Sequence, residues 1–194
     1  IDSIYILDIF TSEIKGEIDS VQIFPSSHYV VEKKTTEKAI LSIEKELKNQ
    51  LKYLKKIGKL EEYKRLEERT IKDMELMEIM GFCPGIENYS LHLDQRKPGQ
   101  PPNTLIDYFP DDFLLIIDES HQTIPQIRGM YEGDRSRKQT LVDHGFRLPS
   151  ALDNRPLNLS EFEKKVNQIV YVSATPSKYE FEKSGDTIIE QIIR

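Results

Sequence analysis

Phe113-Leu114-Leu115-Ile116-Ile117-Asp118-Glu119-Ser120-His121 is the stretch on which the fold turns. Its apolar run is too short for a globular helix and ends abruptly in two adjacent acids. It reads as a strand buried on both faces, the kind that parallel sheets contain. Ligands of open α/β sheets bind just beyond the carboxyl ends of the strands, where Asp118 and Glu119 fall. One carboxylate there suits Mg²⁺ held against nucleotide phosphates, and its neighbour suits the orientation of an attacking water. Downstream, Ile169-Val170-Tyr171-Val172 is a second β-branched run, and it leads into Ser173-Ala174-Thr175-Pro176.

In this order, each at a strand end, the two signals resemble the core of superfamily 2 helicases. Asp118-Glu119-Ser120-His121 is similar to a Walker B box in its Asp-Glu-x-His form. Ser173, Ala174 and Thr175 are similar to the motif that couples the ATP site to the nucleic-acid track. The resemblance makes Asp118 the Mg²⁺-organising residue, Glu119 the residue that orients the hydrolytic water, and His121 the link between nucleotide and moving interface. A histidine beside two acids is also compatible with simple hydrogen bonding in place. Ser173 and Thr175 have no general base next to them in sequence, so they read as coupling residues rather than catalysts.

A phosphate-cradling loop needs Gly-x-x-x-x-Gly-Lys-Ser/Thr, so that backbone N–H groups approach the phosphates and the lysine reaches them. The chain has Gly58-Lys59, but Leu60 follows where Ser or Thr is required and Tyr53 stands at the first glycine position. It carries half of an ATP site.

Composition narrows the partners. A formal net charge of −6 over 194 residues argues against coating nucleic acid by bulk charge, so DNA contact must come from local basic patches. The single cysteine, Cys83, cannot form an internal disulfide, which fits a reducing, cytoplasmic setting, and it reads as a small buried residue. No apolar run approaches a membrane span and no secretory leader is visible, so no membrane partner is expected. The apolar stretches at the two ends, Ile4–Leu7 and Ile192-Ile193-Arg194, read as cuts through strands of a larger protein.

Along the chain, Ile4–Leu7 and Val21–Phe24 read as strands of a small antiparallel sheet ending at Pro25. Thr35 or Thr36 is placed to cap a helix whose apolar stripe runs Ile40, Ile43, Leu47, Leu51, Leu54, Ile57. Gly58 interrupts it, and a second stripe runs Leu60, Tyr63, Leu66, Thr70, Met74, Met77, Met80 to Gly81. Two such helices fold back as a hairpin. Lys45, Lys48, Lys52, Lys55, Lys56 and Lys59 give the first helix a basic surface, either a solvated face or a phosphate contact. Leu105–Tyr108 reads as a short edge element, Ile124 to Pro156 as loops and short helices, Ser160 to Asn167 as a helix, and Thr187–Ile193 as a final strand. Aromatic and polar or basic residues adjoin at Asn88-Tyr89, Phe146-Arg147 and Phe24 before His28, the mixture that single-strand grooves use; each aromatic equally suits a core.

Longer motifs carry a more specific resemblance. Gly81-Phe82-Cys83-Pro84-Gly85-Ile86-Glu87-Asn88-Tyr89-Ser90, Asp107–Phe113, Asp143–Leu157 and Tyr171–Pro176 resemble the UvrB family of bacterial nucleotide excision repair. The resemblance implies a partial RecA-like P-loop NTPase domain (α/β, helicase superfamily 2) with an inserted helical hairpin and the tail of a small antiparallel sheet. Residues 1–23 would be the tail of the UvrA-binding-like domain, 24–104 the helical insertion, and 105–194 the C-terminal half of the first helicase domain. ATP and Mg²⁺ are the implied cofactors; damaged DNA on a single-strand track and the UvrA and UvrC proteins are the implied partners. Asn88, Tyr89, Phe146, Arg147, Lys45 and Lys52 are the DNA-contact candidates. Leu91 departs from the family, which usually has Arg there. Two alternatives stand beside this reading: a non-catalytic UvrA-binding module of a transcription-repair coupling factor, and a general superfamily 2 helicase. The paired acids Asp118 and Glu119 argue against the first, and Glu87-Asn88-Tyr89-Ser90 against the second.

Overall fold

A computed structural model describes residues 3–23 and 28–192. The chain forms two compact units, Ile1–Val30 and Val31–Arg194. The 104/105 boundary expected from sequence therefore falls inside one unit.

In the first unit, β1 (Ile4–Leu7) pairs antiparallel with β2 (Ile14–Ile18), Ile4 opposite Ile18, with an irregularity at Ile6/Leu7. Asp8 shapes the turn: its Oδ1 accepts the N–H groups of Phe10 at 2.9 Å and Thr11 at 3.0 Å. The Lys15 ammonium, then those two N–H groups, hold the Asp8 carboxyl down at about 2. The expected second strand was Val21–Phe24. Residues 21–23 are instead irregular, and Phe24 and Pro25 lie outside the described residues. β propensity marked the more β-branched run, but a strand needs a partner, and the short turn brings Ile14–Ile18 into register first.

The second unit begins with the expected hairpin, α1 (Lys33–Lys56) and α2 (Leu60–Met80). Ala39, Ile43, Leu47, Leu51 and Leu54 are buried on α1, and Leu66, Thr70 and Met77 on α2. The stripes fray at their ends, where Ile57, Leu60 and Met80 are exposed. Neither threonine caps α1: the chain enters through Glu32, and Thr36 Oγ1 bonds back to its carbonyl. Gly81 ends α2 at φ +70°, its N–H donating to the Met77 carbonyl at 2.9 Å, the left-handed stop that glycine adopts without a Cβ clash. A 3₁₀ turn (Ile86–Tyr89) and α3 (Ser90–Leu93) follow, burying Ile86, Tyr89, Leu91 and Leu93. Leu91 is thus a core side chain.

Leu105–Tyr108 is a 3₁₀ turn rather than an edge strand, because Thr104 and Asp107 form a reciprocal capping box that closes the backbone locally. Next, β3 (Leu114–Ile117) pairs in parallel with β4 (Gln168–Tyr171), Leu114 beside Gln168 and Ile117 beside Tyr171. Only one face is covered, by a core of Ile117, Ile124, Leu157, Phe162 and Val166. Leu114, Ile116 and Val170 stay exposed on this two-stranded sheet, so burial on both faces does not hold within these residues.

The stretch read as loops and short helices, Ile124 to Pro156, holds most of a single 24-residue helix, α4 (Ser120–Asp143). Its signal is weak for a physical reason: it buries only Ser120, Ile124, Lys138 and Val142, and it tolerates Pro125 near its start. A 3₁₀ turn (Pro149–Asp153) and α5 (Leu159–Lys165) lead to β4, and α6 (Lys178–Ser184) follows it. The final strand is not formed: residues 187–192 are irregular with Ile188, Ile189 and Ile192 exposed, and Ile193 and Arg194 lie outside the described residues. An apolar run without a neighbouring strand has nothing to complete its backbone bonds. No described helix is long and apolar enough to cross a membrane.

The segment after α4 clasps the hairpin. Lys59 Nζ donates to the Asp143 carbonyl at 2.7 Å and Arg65 to the His144 carbonyl at 2.5 Å, placing cations on the orphan carbonyls of a helix C-terminus. Glu46 accepts the Ser150 N–H at 2.8 Å, and its other oxygen meets His92 Nε2 at 2.7 Å.

Candidate nucleotide site and nucleic-acid surface

The carboxyl end of β3 builds the candidate site. Buried Ile117 anchors the strand, and the chain then reverses at Asp118-Glu119. Glu119 sits in the left-handed region, φ +45° and ψ +46°, a conformation that costs a non-glycine residue roughly 1–2 kcal/mol. Local bonds hold it there. Asp118 Oδ1 accepts the Glu119 N–H at 2.9 Å, and the Glu119 carbonyl accepts the N–H groups of Gln122 at 2.8 Å and Thr123 at 3.0 Å to start α4.

The two sequence motifs meet here. The ladder runs past both strands, with Val172 N–H donating to Ile117 at 2.8 Å and Ser120 N–H donating to Val172 at 3.0 Å. His121 Nδ1 lies 2.8 Å from Ser173 Oγ and 3.4 Å from Glu119 Oε2. Ser173 Oγ also accepts the Thr175 N–H at 3.0 Å. One serine hydroxyl therefore ties the histidine of the first motif to the backbone of the second. Ala174 and Thr175 are exposed on the same loop.

Asp118 and Glu119 are both exposed beyond the strand end. Among the described residues no group of three His, Cys, Asp or Glu could hold a metal ion. The donor set that is present, two adjacent carboxylates at a strand end, suits Mg²⁺, which takes one or two carboxylates and completes its shell with phosphates and waters. Asp118 Oδ1 is committed to the backbone, which leaves Oδ2 for such a contact.

The DNA-contact candidates divide. Lys45 and Lys52 are exposed on α1 and make no ion pair among the described residues, whereas Lys48 pairs with Glu44 at 2.7 Å. Tyr89 is only 5% exposed and its hydroxyl donates to Asp73 at 2.7 Å, so the ring packs as core and offers no face to a base. Burial and then the Asp73 charge push its hydroxyl up. Asn88 is equally enclosed and donates to the Gly85 carbonyl at 2.8 Å. The sequence pattern of polar beside aromatic carried no information about depth. Phe146 is part-exposed, with the Arg65 guanidinium 4.4 Å from its ring centre.

Arg147 is half-buried and its Nε has no hydrogen-bond partner; burial and then the neighbouring Arg69 lower its pKa. Arg65 and Arg69 share one face of α2 at i, i+4, a spacing visible in the sequence; Arg65 lies over Phe146, and Arg69 lies near Arg147 while pairing with Asp73 at 3.6 Å. Cys83 is fully buried; desolvation, then Asp73 and Glu87, push its thiol up to about 12.

Comparison with known proteins places these features. Residues 34–95 match the UvrB third helical domain. Over all 194 residues the chain is 62% identical to UvrABC system protein B of Natranaerobius thermophilus, 61% identical to that of Bacillus subtilis and 60% identical to that of Enterococcus faecalis. It spans 29% of the length of each.

Proposed function

We propose, since this chain belongs to the UvrB family along its whole length, that it forms the coupling part of an ATP-driven DNA-damage-verification subunit of nucleotide excision repair, acting within the UvrABC excinuclease with UvrA and UvrC. The observation that carries the reading is the His121–Ser173 contact, which joins a strand-end acid pair to the loop after the neighbouring strand. On this reading residues 105–194 are the C-terminal half of a RecA-like domain. The exposed apolar face of β3 and β4 supports that, since parallel strands are normally covered on both sides.

Mg²⁺·ATP supplies the phosphate chain whose terminal bond is broken. Asp118 would hold the metal. Glu119 orients the attacking water and draws its proton, and His121 passes the state of the site to Ser173 and so to α6 and the loop. The phosphate-gripping glycine loop is absent from these 194 residues and would come from the remainder of the full-length protein. The expected result is Mg²⁺-dependent hydrolysis by the full-length protein and none by the isolated segment. Turnover by the pure segment overturns the half-site reading.

DNA contact is proposed for the exposed face of α1 and the Arg65/Arg69/Arg147 cluster. Each lysine on a phosphate displaces condensed counterions, so binding weakens with salt in proportion to the number of phosphates neutralised. Changing Lys45 and Lys52 to Gln in the full-length protein should lower the slope of log affinity against log salt by about one unit for each lysine that had sat on a phosphate. An unchanged slope would make the α1 lysines a solvated face.

A further inference from the structure

Beyond the motifs, two polar atoms at this site have no partner. Ser120 is fully buried and its Oγ makes no hydrogen bond. Glu180 is 3% exposed, and while its Oε2 accepts both the N–H of Ser177, at 2.9 Å, and the Ser177 hydroxyl, its Oε1 makes none. Both residues line one cavity of about 110 Å³ together with Ser173 and Tyr171. Leaving such groups unbonded costs about 1–3 kcal/mol each, and a bond across the cavity they share would relieve both. Burial raises the Glu180 pKa, but the Ser177 hydroxyl and the backbone N–H groups of Glu180 and Ser177, with a smaller pull from the Ser120 hydroxyl, bring it below its ordinary range.

The geometry points to Glu180 as a positioning residue of the nucleotide site, taking the Ser120 hydroxyl on its free oxygen and thereby holding Glu119 in its left-handed turn. This rests on the hydrolytic reading of Asp118 and Glu119. Ser120 is the residue directly after the strained one. Its N–H is fixed to Val172, on the Ser173 loop, and its side chain faces α6, which follows that loop. Glu180 is rigid enough to serve because it is the third residue of α6 in a capping box with Ser177. With the bond made, the backbone turn that aims Glu119 is held from both sides. With it broken, Glu119 relaxes out of a costly conformation and its carboxylate leaves the water.

The test uses the full-length protein, with Ser120→Ala, Glu180→Ala and their double mutant assayed for steady-state ATP hydrolysis below the unfolding temperature of each. A charge-assisted hydrogen bond of this kind corresponds to roughly a tenfold change in rate. Each single substitution should therefore lower kcat about tenfold with KM for ATP within about twofold, and the double mutant should fall no further. Glu180→Gln keeps the capping box on its one amide oxygen and turns its NH2 toward Ser120 Oγ, so the contact survives with its direction reversed and kcat should fall less than in Glu180→Ala, by no more than about threefold. Unchanged kcat in Ser120→Ala, additive losses in the double mutant, or a rise in KM instead of a fall in kcat would each overturn the assignment. The two readings fail separately. Hydrolysis that survives Glu119→Gln sinks the hydrolytic reading itself, whereas Glu119-dependent hydrolysis with a silent Ser120→Ala sinks only the role of Glu180.

Discussion

In the full-length protein, Glu119→Gln should leave ATP binding within about twofold of the parent and lower hydrolysis by about 10²–10⁴, the span that a positioned general base contributes. Glutamine matches glutamate in shape and in its tolerance of the turn, so the backbone at φ +45° is undisturbed. What it lacks is the negative oxygen that draws a proton from water. On the proposed reading binding is spared, because the Glu119 carboxylate is directed toward His121, 3.4 Å away, and the second Asp118 oxygen would take the metal. Steady-state hydrolysis and titration with a fluorescent ATP analogue separate the two effects. If binding falls in step with hydrolysis, Glu119 is a metal ligand and Asp118 is not the principal one.

The parts of this molecule that were legible in sequence share one property: their side chains repeat with the period of the backbone that carries them. The α1–α2 hairpin announced itself through Ile43, Leu47, Leu51 and Leu54 because a helix against a helix must bury a stripe. The strand end at Asp118 was visible because apolar residues give way to acids in one step. α4 was illegible for the converse reason: most of its surface is solvated, and Gly129, Gly133 and Pro125 look like loop residues. Depth was the other blind spot. Tyr89 and Phe146 read alike in sequence, yet one is hydrogen-bonded to Asp73 in the core and the other is part-exposed beneath Arg65. The Ser120–Glu180 pair lies 60 positions apart and depends on where α6 lands, which no local pattern encodes.

The second large effect concerns Gly145, at the clasp between α4 and the hairpin. Its φ is +69°, and a Cβ built there would lie 2.4 Å from the Glu62 carbonyl oxygen and 2.8 Å from the Glu62 Cα. Those are backbone atoms of α2 and cannot rotate aside. Gly145→Ala therefore carries a left-handed penalty of about 1–2 kcal/mol and an overpacking penalty of about 1–3 kcal/mol, roughly 2–5 kcal/mol in all. The strain is relieved by separating the turn from α2. That would also loosen the Lys59 and Arg65 bonds to the Asp143 and His144 carbonyls and uncover Phe146. Gly129, inside α4 with open space around its Cβ position, is the matched contrast. There alanine removes a flexible residue from a helix and should stabilise by about 0.5–1 kcal/mol. Urea unfolding of the full-length variants, followed by helical circular dichroism, should shift the midpoint down for Gly145→Ala and slightly up for Gly129→Ala. Equal midpoints would mean that the hairpin is not held against the 144–147 turn, and that the Arg65/Arg69/Arg147 cluster is not a preformed surface.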